Sequence, residues 1–215
     1  MSIILLQFLL GVVFLTLVYL HLTKKNFGAV MAYGLQSMVI VIILLNSFFE
    51  SRSLLLLVSI LVTLLVKVIL APIFFTNFIK KNKMTFAVSN HFKTPLTLVI
   101  IAIFTAIAHS QPLLPLTNII PDHHILLSLA LSEIFLAIFL IINQKGALSQ
   151  AIGILSLENS ILTFAVFAGL EQSPTLQLGI IFDILIWSVI ATVFVSMIYR
   201  HFGSLDTSLM KGLKE

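Results

Sequence analysis

The sequence predicts an all-α membrane protein of about seven transmembrane helices, with its N-terminus outside and its C-terminus in the cytoplasm. Three observations lead there. The 215 residues are 60% hydrophobic and only 9% charged, against roughly 25% charged in soluble domains. Apolar runs near the ~20 residues needed to cross a bilayer core recur at 3 to 22, 27 to 49, 54 to 79, 95 to 113, 124 to 142, 148 to 170 and 176 to 199. Third, the basic residues between runs alternate in side. Lys24, Lys25, Lys80, Lys81, Lys83, Lys93, Lys145, Arg200, Lys211 and Lys214 fall on one side, and Arg52 alone on the other. That asymmetry obeys the positive-inside rule only if the number of spans is odd.

Taken in order, the first run, 3 to 22, lacks a basic leader and a small-residue cleavage site, so it is expected to be retained as a span rather than removed as a signal peptide. The third run contains Pro72, whose ring crowds the carbonyl four residues back and which has no N–H to donate, so a kink is expected beside Lys67. Leu96 to His109 is the cleanly helical part of the fourth run. Pro112, Pro115 and Pro121 beyond it are expected to set a stiff extended outer loop. The connector from Lys80 to Lys93 reads as an orientation signal, with contact to anionic lipid or a cytoplasmic partner as the lesser reading. The whole chain, 1–215, forms one integral membrane domain: a three-span unit with its basic loop (1–94), a fourth span with its outer loop (95–123) and a second three-span unit (124–215).

The net charge of +4 follows from orientation and does not mark a nucleic-acid surface, because the Lys and Arg residues sit at helix ends. The absence of Cys rules out thiolate ligands for an iron–sulfur cluster on this chain. His123 and His124 are adjacent at a helix start and point in different directions, so a metal site there is a poor expectation, and no metal or cofactor is assigned to the chain.

Four ionisable residues interrupt the apolar runs near their middles: Lys67, Glu133, Glu158 and Asp183. One charge at mid-bilayer costs about 2.5–3.5 kcal/mol on insertion scales while each large aliphatic residue returns about 0.3–0.6, so a twenty-residue run tolerates one without explaining it. Such residues usually face a bundle interior and mark proton or ion routes. Glu158 has Ser156, Asn159 and Ser160 near it, able to bond a carboxyl or hold water. Burial favours a neutral acid and a neighbouring ammonium favours an ionised one, so an acid with a mobile cationic partner can carry protons near neutral pH. The competing reading is a static acid that bonds helices together. Asp183 has no polar neighbour three or four positions away on its own helix, and its partner must come from another span. Lys67 needs a carboxylate, which Glu133, Glu158 or Asp183 could supply. Glu133 has only Ser132 beside it. Their similar depths suggest a lateral row, with no catalytic residue among them.

A faint internal repeat relates the two three-span units. Lys24 and Lys25 parallel Lys145, Leu35–Gln36–Ser37 parallels Leu157–Glu158–Asn159, and Lys67 parallels Asp183. A parallel repeat about an axis near the membrane normal fits the count. Gln36 and Asn159 are thereby supporting polar residues.

On these residues the second half, from about 124 to 215, resembles the K subunit of bacterial complex I and the C subunit of multisubunit sodium/proton antiporters. Glu158 matches the first family acid and Asp183 the second, where that family commonly has Glu; the tail from Leu205 to Lys211 is similar too. Over its full length the chain resembles component E of membrane-bound hydrogenases of the formate-hydrogenlyase type, through the stretches 33–37, 67–72, 157–159, 179–183 and 203–206. The resemblance implies a non-catalytic subunit in the prokaryotic cytoplasmic membrane. It would lie beside antiporter-like subunits, on a lateral proton path coupled to a cytoplasmic redox arm, whose nickel–iron and iron–sulfur centres belong to partner subunits. A subunit of a cation/proton antiporter complex without that arm, and a purely structural membrane linker, are the alternatives.

Overall fold

A computed structural model describes residues 3–170, 173–203 and 205, and the side chains of several positions in the last helix, Asp183 among them, lie outside the described residues. The helices are α1 (Ile3–Leu22), α2 (Asn26–Ser51), α3 (Leu54–Thr63), α4 (Ala71–Lys81), α5 (Thr94–Ala108), α6 (Leu114–Thr117), α7 (His124–Asn143), α8 (Ala147–Phe167) and α9 (Pro174–Phe202). A π-helical segment, Leu64–Leu70, joins α3 to α4 without a break in the rod.

Five stretches, Ile3–Leu22, Asn26–Ser51, Leu54–Lys81, Pro121–Asn143 and Ala147–Phe167, are long and apolar enough to cross a membrane. A sixth arises if α5 and the bent segment Gln111–Thr117 count as one span, although they meet at 55°. Helix α9 carries the last apolar run over 29 residues. The helical part of the fourth run, expected over Leu96–His109, is Thr94–Ala108 with His109 as its cap; it stops there because Pro112 has no N–H for the Ala108 carbonyl and its ring would strike it. The expectation about the loop beyond it is corrected. The prolines beyond do not build an extended loop. Each sits in the first turn of a short helical segment, at Gln111–Leu113, Leu114–Thr117 and Pro121–His123. There a fixed φ near −65° is already helical and the missing N–H is not needed.

Helices α1, α2, α8 and α7 form a ring of neighbours. The α3–α4 rod packs on α2 and α9, α9 also meets α8, and α5 lies outside against α7. Each helix of the first unit touches its counterpart in the second: α1 with α7, α2 with α8, α3 with α9. Small residues let the rods approach. A Cβ on Gly153 of α8 would lie 2.9 Å from Ile141 Cγ1 and 3.4 Å from the Ile141 backbone nitrogen of α7. Gly34 of α2 faces the Pro72 ring less closely, a Cβ there lying at an ordinary contact distance of 3.4 Å.

The apolar core is split in two. One cluster contains Leu10, Val13, Ile40, Leu44, Leu56 and Leu127; the other contains Leu17, Tyr33, Phe75, Leu136, Leu140 and Leu155. On α2 the gap between the clusters falls at Gln36 and Ser37, on α7 at Ser132 and Glu133, on α8 at Glu158 to Ser160, and on the α3–α4 rod at Lys67.

The connector after Lys81 does more than carry charge. It runs across both helix–helix turns, bridging Lys25 through Phe86 and Gln144 through Asn90. Asn26 at the head of α2 donates its amide to the carbonyls of Met84 at 2.9 Å and Phe86 at 3.0 Å. Asn143 at the end of α7 accepts from the Phe92 N–H at 3.0 Å. Three Asn residues do the pinning, since the Asn90 amide donates to the His21 carbonyl at 3.0 Å. Replacing Asn26 by Ala removes two partly buried hydrogen bonds, at about 0.5–1.5 kcal/mol each. We expect Asn26→Ala to speed proteolysis within residues 82–93 in detergent while helix content by circular dichroism stays unchanged.

Candidate functional site

Lys67 owes its position to the π-helical segment. Because Pro72 cannot close the usual bond to Val68, the backbone widens, and the Ala71 N–H reaches five residues back to the Val66 carbonyl. The helix disturbance expected beside Lys67 takes the form of a π turn, a device that recurs at functional sites because it re-aims side chains without ending the helix. The Lys67 ammonium is fully buried, 2.7 Å from Glu158 Oε1. It donates to Asn159 Oδ1 at 2.9 Å, and the Asn159 amide in turn donates to Ser37 Oγ at 3.1 Å. Three elements, the π segment, α8 and α2, therefore meet in one charged and polar chain.

Ser37 and Asn159 are the positions that the aligned patterns of the two units make equivalent. The bond between them joins α2 and α8, which pack side by side in the ring of α1, α2, α8 and α7. Gln36, next to Ser37, is fully buried, and its amide finds no hydrogen-bond partner among the described residues. The serines of α8 are employed differently from the expectation. Ser160 donates to the Ser156 carbonyl and Thr163 to the Asn159 carbonyl, returning their protons to the helix backbone. Only Asn159 of the three polar neighbours bonds to the Lys67–Glu158 pair among the described residues.

The other predicted residues fall as follows. Glu133 is fully buried in the same gap between the apolar clusters, and neither carboxyl oxygen meets a hydrogen-bond partner among the described residues. It stands apart from the Lys67–Glu158 pair. Asp183 lies on α9, with its side chain outside the described residues; so does the tail beyond Leu205. His123 turns its Nδ1 to the Phe167 carbonyl at 3.0 Å, tying the start of α7 to the end of α8. No group of three or more His, Asp or Glu side chains that could hold a metal occurs among the described residues.

His21 and Tyr33 are among the buried polar side chains that the sequence did not mark as site residues. His21 is 1% exposed, stacks on Phe139 at a centroid distance of 4.9 Å and sets Nε2 3.1 Å from the Leu136 carbonyl. Tyr33 is fully buried one turn before Ser37. In the sequence His21 adjoins Lys24 and Lys25 and reads as part of a solvated helix end; its burial depends on α7 covering that face.

Chemically, the arrangement suits proton transfer over one short step. Two ionisable groups 2.7 Å apart can exchange a proton without side-chain travel. Moving the ammonium proton to the carboxylate would leave both groups neutral. Asn159 offers an acceptor to Lys67 and a donor to Ser37, so it orients the pair while taking no charge itself. Comparison with protein-family models, curated proteins and solved structures finds no match to this chain.

Proposed function

We propose that this chain is a non-catalytic, seven-span subunit of a complex I-related membrane assembly of the hydrogenase type, in a prokaryotic cytoplasmic membrane with its basic end cytoplasmic. In this reading it conducts protons laterally between antiporter-like partners. The observation that carries it is the Lys67–Glu158 pair, held by Asn159 between two apolar clusters. A buried pair used only as glue is poor value in stability, because desolvation of both ions offsets most of their attraction. A pair that changes protonation uses its burial, since a charge arriving on one side alters the proton affinity of the neighbour. Lys67 and Glu158 form the central step, Asp183 and Glu133 continue the row, and Gln36 and Asn159 support it. The nickel–iron and iron–sulfur chemistry belongs to partner subunits, to which this chain supplies an anchored proton path.

Two measurements test the proposal. Tagged protein purified from detergent-solubilised membranes should bring with it antiporter-like membrane subunits, a soluble arm and nickel. Recovery of antiporter-like subunits without nickel would replace the hydrogenase assembly with an antiporter one. In the assembled complex in vesicles, Glu158→Gln should reduce proton uptake by at least tenfold while subunit composition stays the same. Unchanged uptake would sink the relay, and loss of uptake in strict proportion to loss of assembly would make the pair a structural linker.

A further inference from the structure

The basic end of the molecule contains a cavity that the relay does not use. It opens between the last turns of α4 and α9, has a volume of about 500 Å³, and is walled by Phe74, Phe78 and Tyr199 with Lys81 and Arg200 at its rim. Asn77, Asn82 and Ser196 complete the lining, which includes no acidic residue. The aromatic wall is itself packed: Phe78 meets Tyr199 edge-on at 5.5 Å and Phe74 stacks on Phe78 at 6.1 Å.

We propose that this cavity is a binding site for one anionic glycerophospholipid, its phosphate between Lys81 and Arg200 and an acyl chain along Phe78 and Phe74. Charge and depth both point that way. Lys81 and Arg200 project from different helices and neither is in an ion pair among the described residues. Both helices end here, so the backbone offers carbonyls rather than N–H groups, and an anion must be held by side chains: the two positive charges of Lys81 and Arg200, with Asn77, Asn82 and Ser196 able to donate beside them. From Lys81 to Phe74 the helix descends about 10 Å at 1.5 Å per residue, the distance from headgroup level into hydrocarbon. Basic pockets between spans at the headgroup level suit anionic lipid heads. The surface beside the wall is apolar and exposed, through Ile73, Phe194 and Met197, so the cavity opens onto the lipid-facing side. That continuity favours a membrane lipid over a soluble phosphate compound.

The site is independent of any assignment to a hydrogenase assembly and requires only that the chain span a membrane. The test uses the full chain, with whatever subunits accompany it, delipidated in detergent and titrated with phosphatidylglycerol or phosphatidylcholine under native mass spectrometry. The wild-type protein should hold one phosphatidylglycerol at least tenfold more tightly than phosphatidylcholine. Lys81→Gln/Arg200→Gln should lose that preference. Lys24→Gln/Lys93→Gln, which removes equal charge from the same end outside the cavity, should keep it. An equal loss in both double variants would reduce the effect to general surface charge and overturn the site, as would no preference in the wild type. Displacement of the bound lipid by millimolar glycerol 3-phosphate would assign the cavity to a soluble phosphate ligand instead. Circular dichroism of each variant separates lost binding from misfolding. If Lys81→Gln/Arg200→Gln does not fold, Lys81→Arg/Arg200→Lys, which preserves both charges, must retain the preference for the proposal to stand.

Discussion

Lys67→Met is expected to destabilise the protein by about 3–5 kcal/mol, the range for removing one partner of a buried ion pair. The reason lies in what remains. Glu158, 8% exposed, loses the ammonium 2.7 Å from Oε1, and Asn159 loses the donor to its Oδ1. The double variant Lys67→Met/Glu158→Gln should be more stable than Lys67→Met alone, because no charge is then left buried. Thermal unfolding of the four proteins in detergent forms a closed cycle. Losses that simply add would mean that Lys67 and Glu158 do not depend on each other, and would remove the basis for proton exchange between them. If the double variant recovers stability but vesicles containing its assembly take up no protons, the pair is retained for transport rather than for folding.

Gly153→Leu should have an effect of similar size through a different cause. A Cβ at this position would lie 2.9 Å from Ile141 Cγ1, and 3.4 and 3.5 Å from the Ile141 backbone nitrogen and Cα. The first contact is too close for a real Cβ and falls on the stiff β-branched part of Ile141, so something must give there. The other two end on the α7 backbone. Ala at 153 therefore sets a helix-propensity gain of about 0.5–1 kcal/mol against a small displacement, and the two nearly cancel. Leu has no such escape. Overpacking of about 1–3 kcal/mol or more must push α7 from α8, and these helices carry Glu133 and Glu158 respectively. We expect Gly153→Ala to purify as a single species with near wild-type thermal stability, and Gly153→Leu to aggregate or lose several degrees. Ile141→Ala should rescue Gly153→Leu only in part. Full rescue of the Leu variant would show that side-chain crowding, not backbone approach, sets the helix spacing.

Lys67 and Pro72 illustrate how far local reasoning reaches. Five residues apart, they announce a disturbed helix beside a buried cation, and that much depends only on the chemistry of proline. Whether the helix bends or widens into a π turn depends on the packing around it, and the Pro72 ring is held against Gly34 of α2. The outer prolines were misread for a related reason. A φ near −65° serves both extended and helical backbone, and the ψ angle that separates them is set by neighbours. The pinning of residues 82–93 by Asn26, Asn90 and Asn143 likewise left no trace beyond three ordinary Asn residues.

The long apolar helices and the few residues that interrupt them were legible in the sequence alone, because both follow from side-chain transfer energies and helix length within one segment. Only the tertiary structure decided that Lys67 selects Glu158 and Asn159, while Glu133 at similar depth is left outside that chain. Those contacts join positions 92 and 122 residues apart. They depend on the rotation and spacing of whole helices, to which the close approach at Gly153 and the connector across both turns contribute. No local energy in the sequence specifies those rotations; packing of all the helices together does.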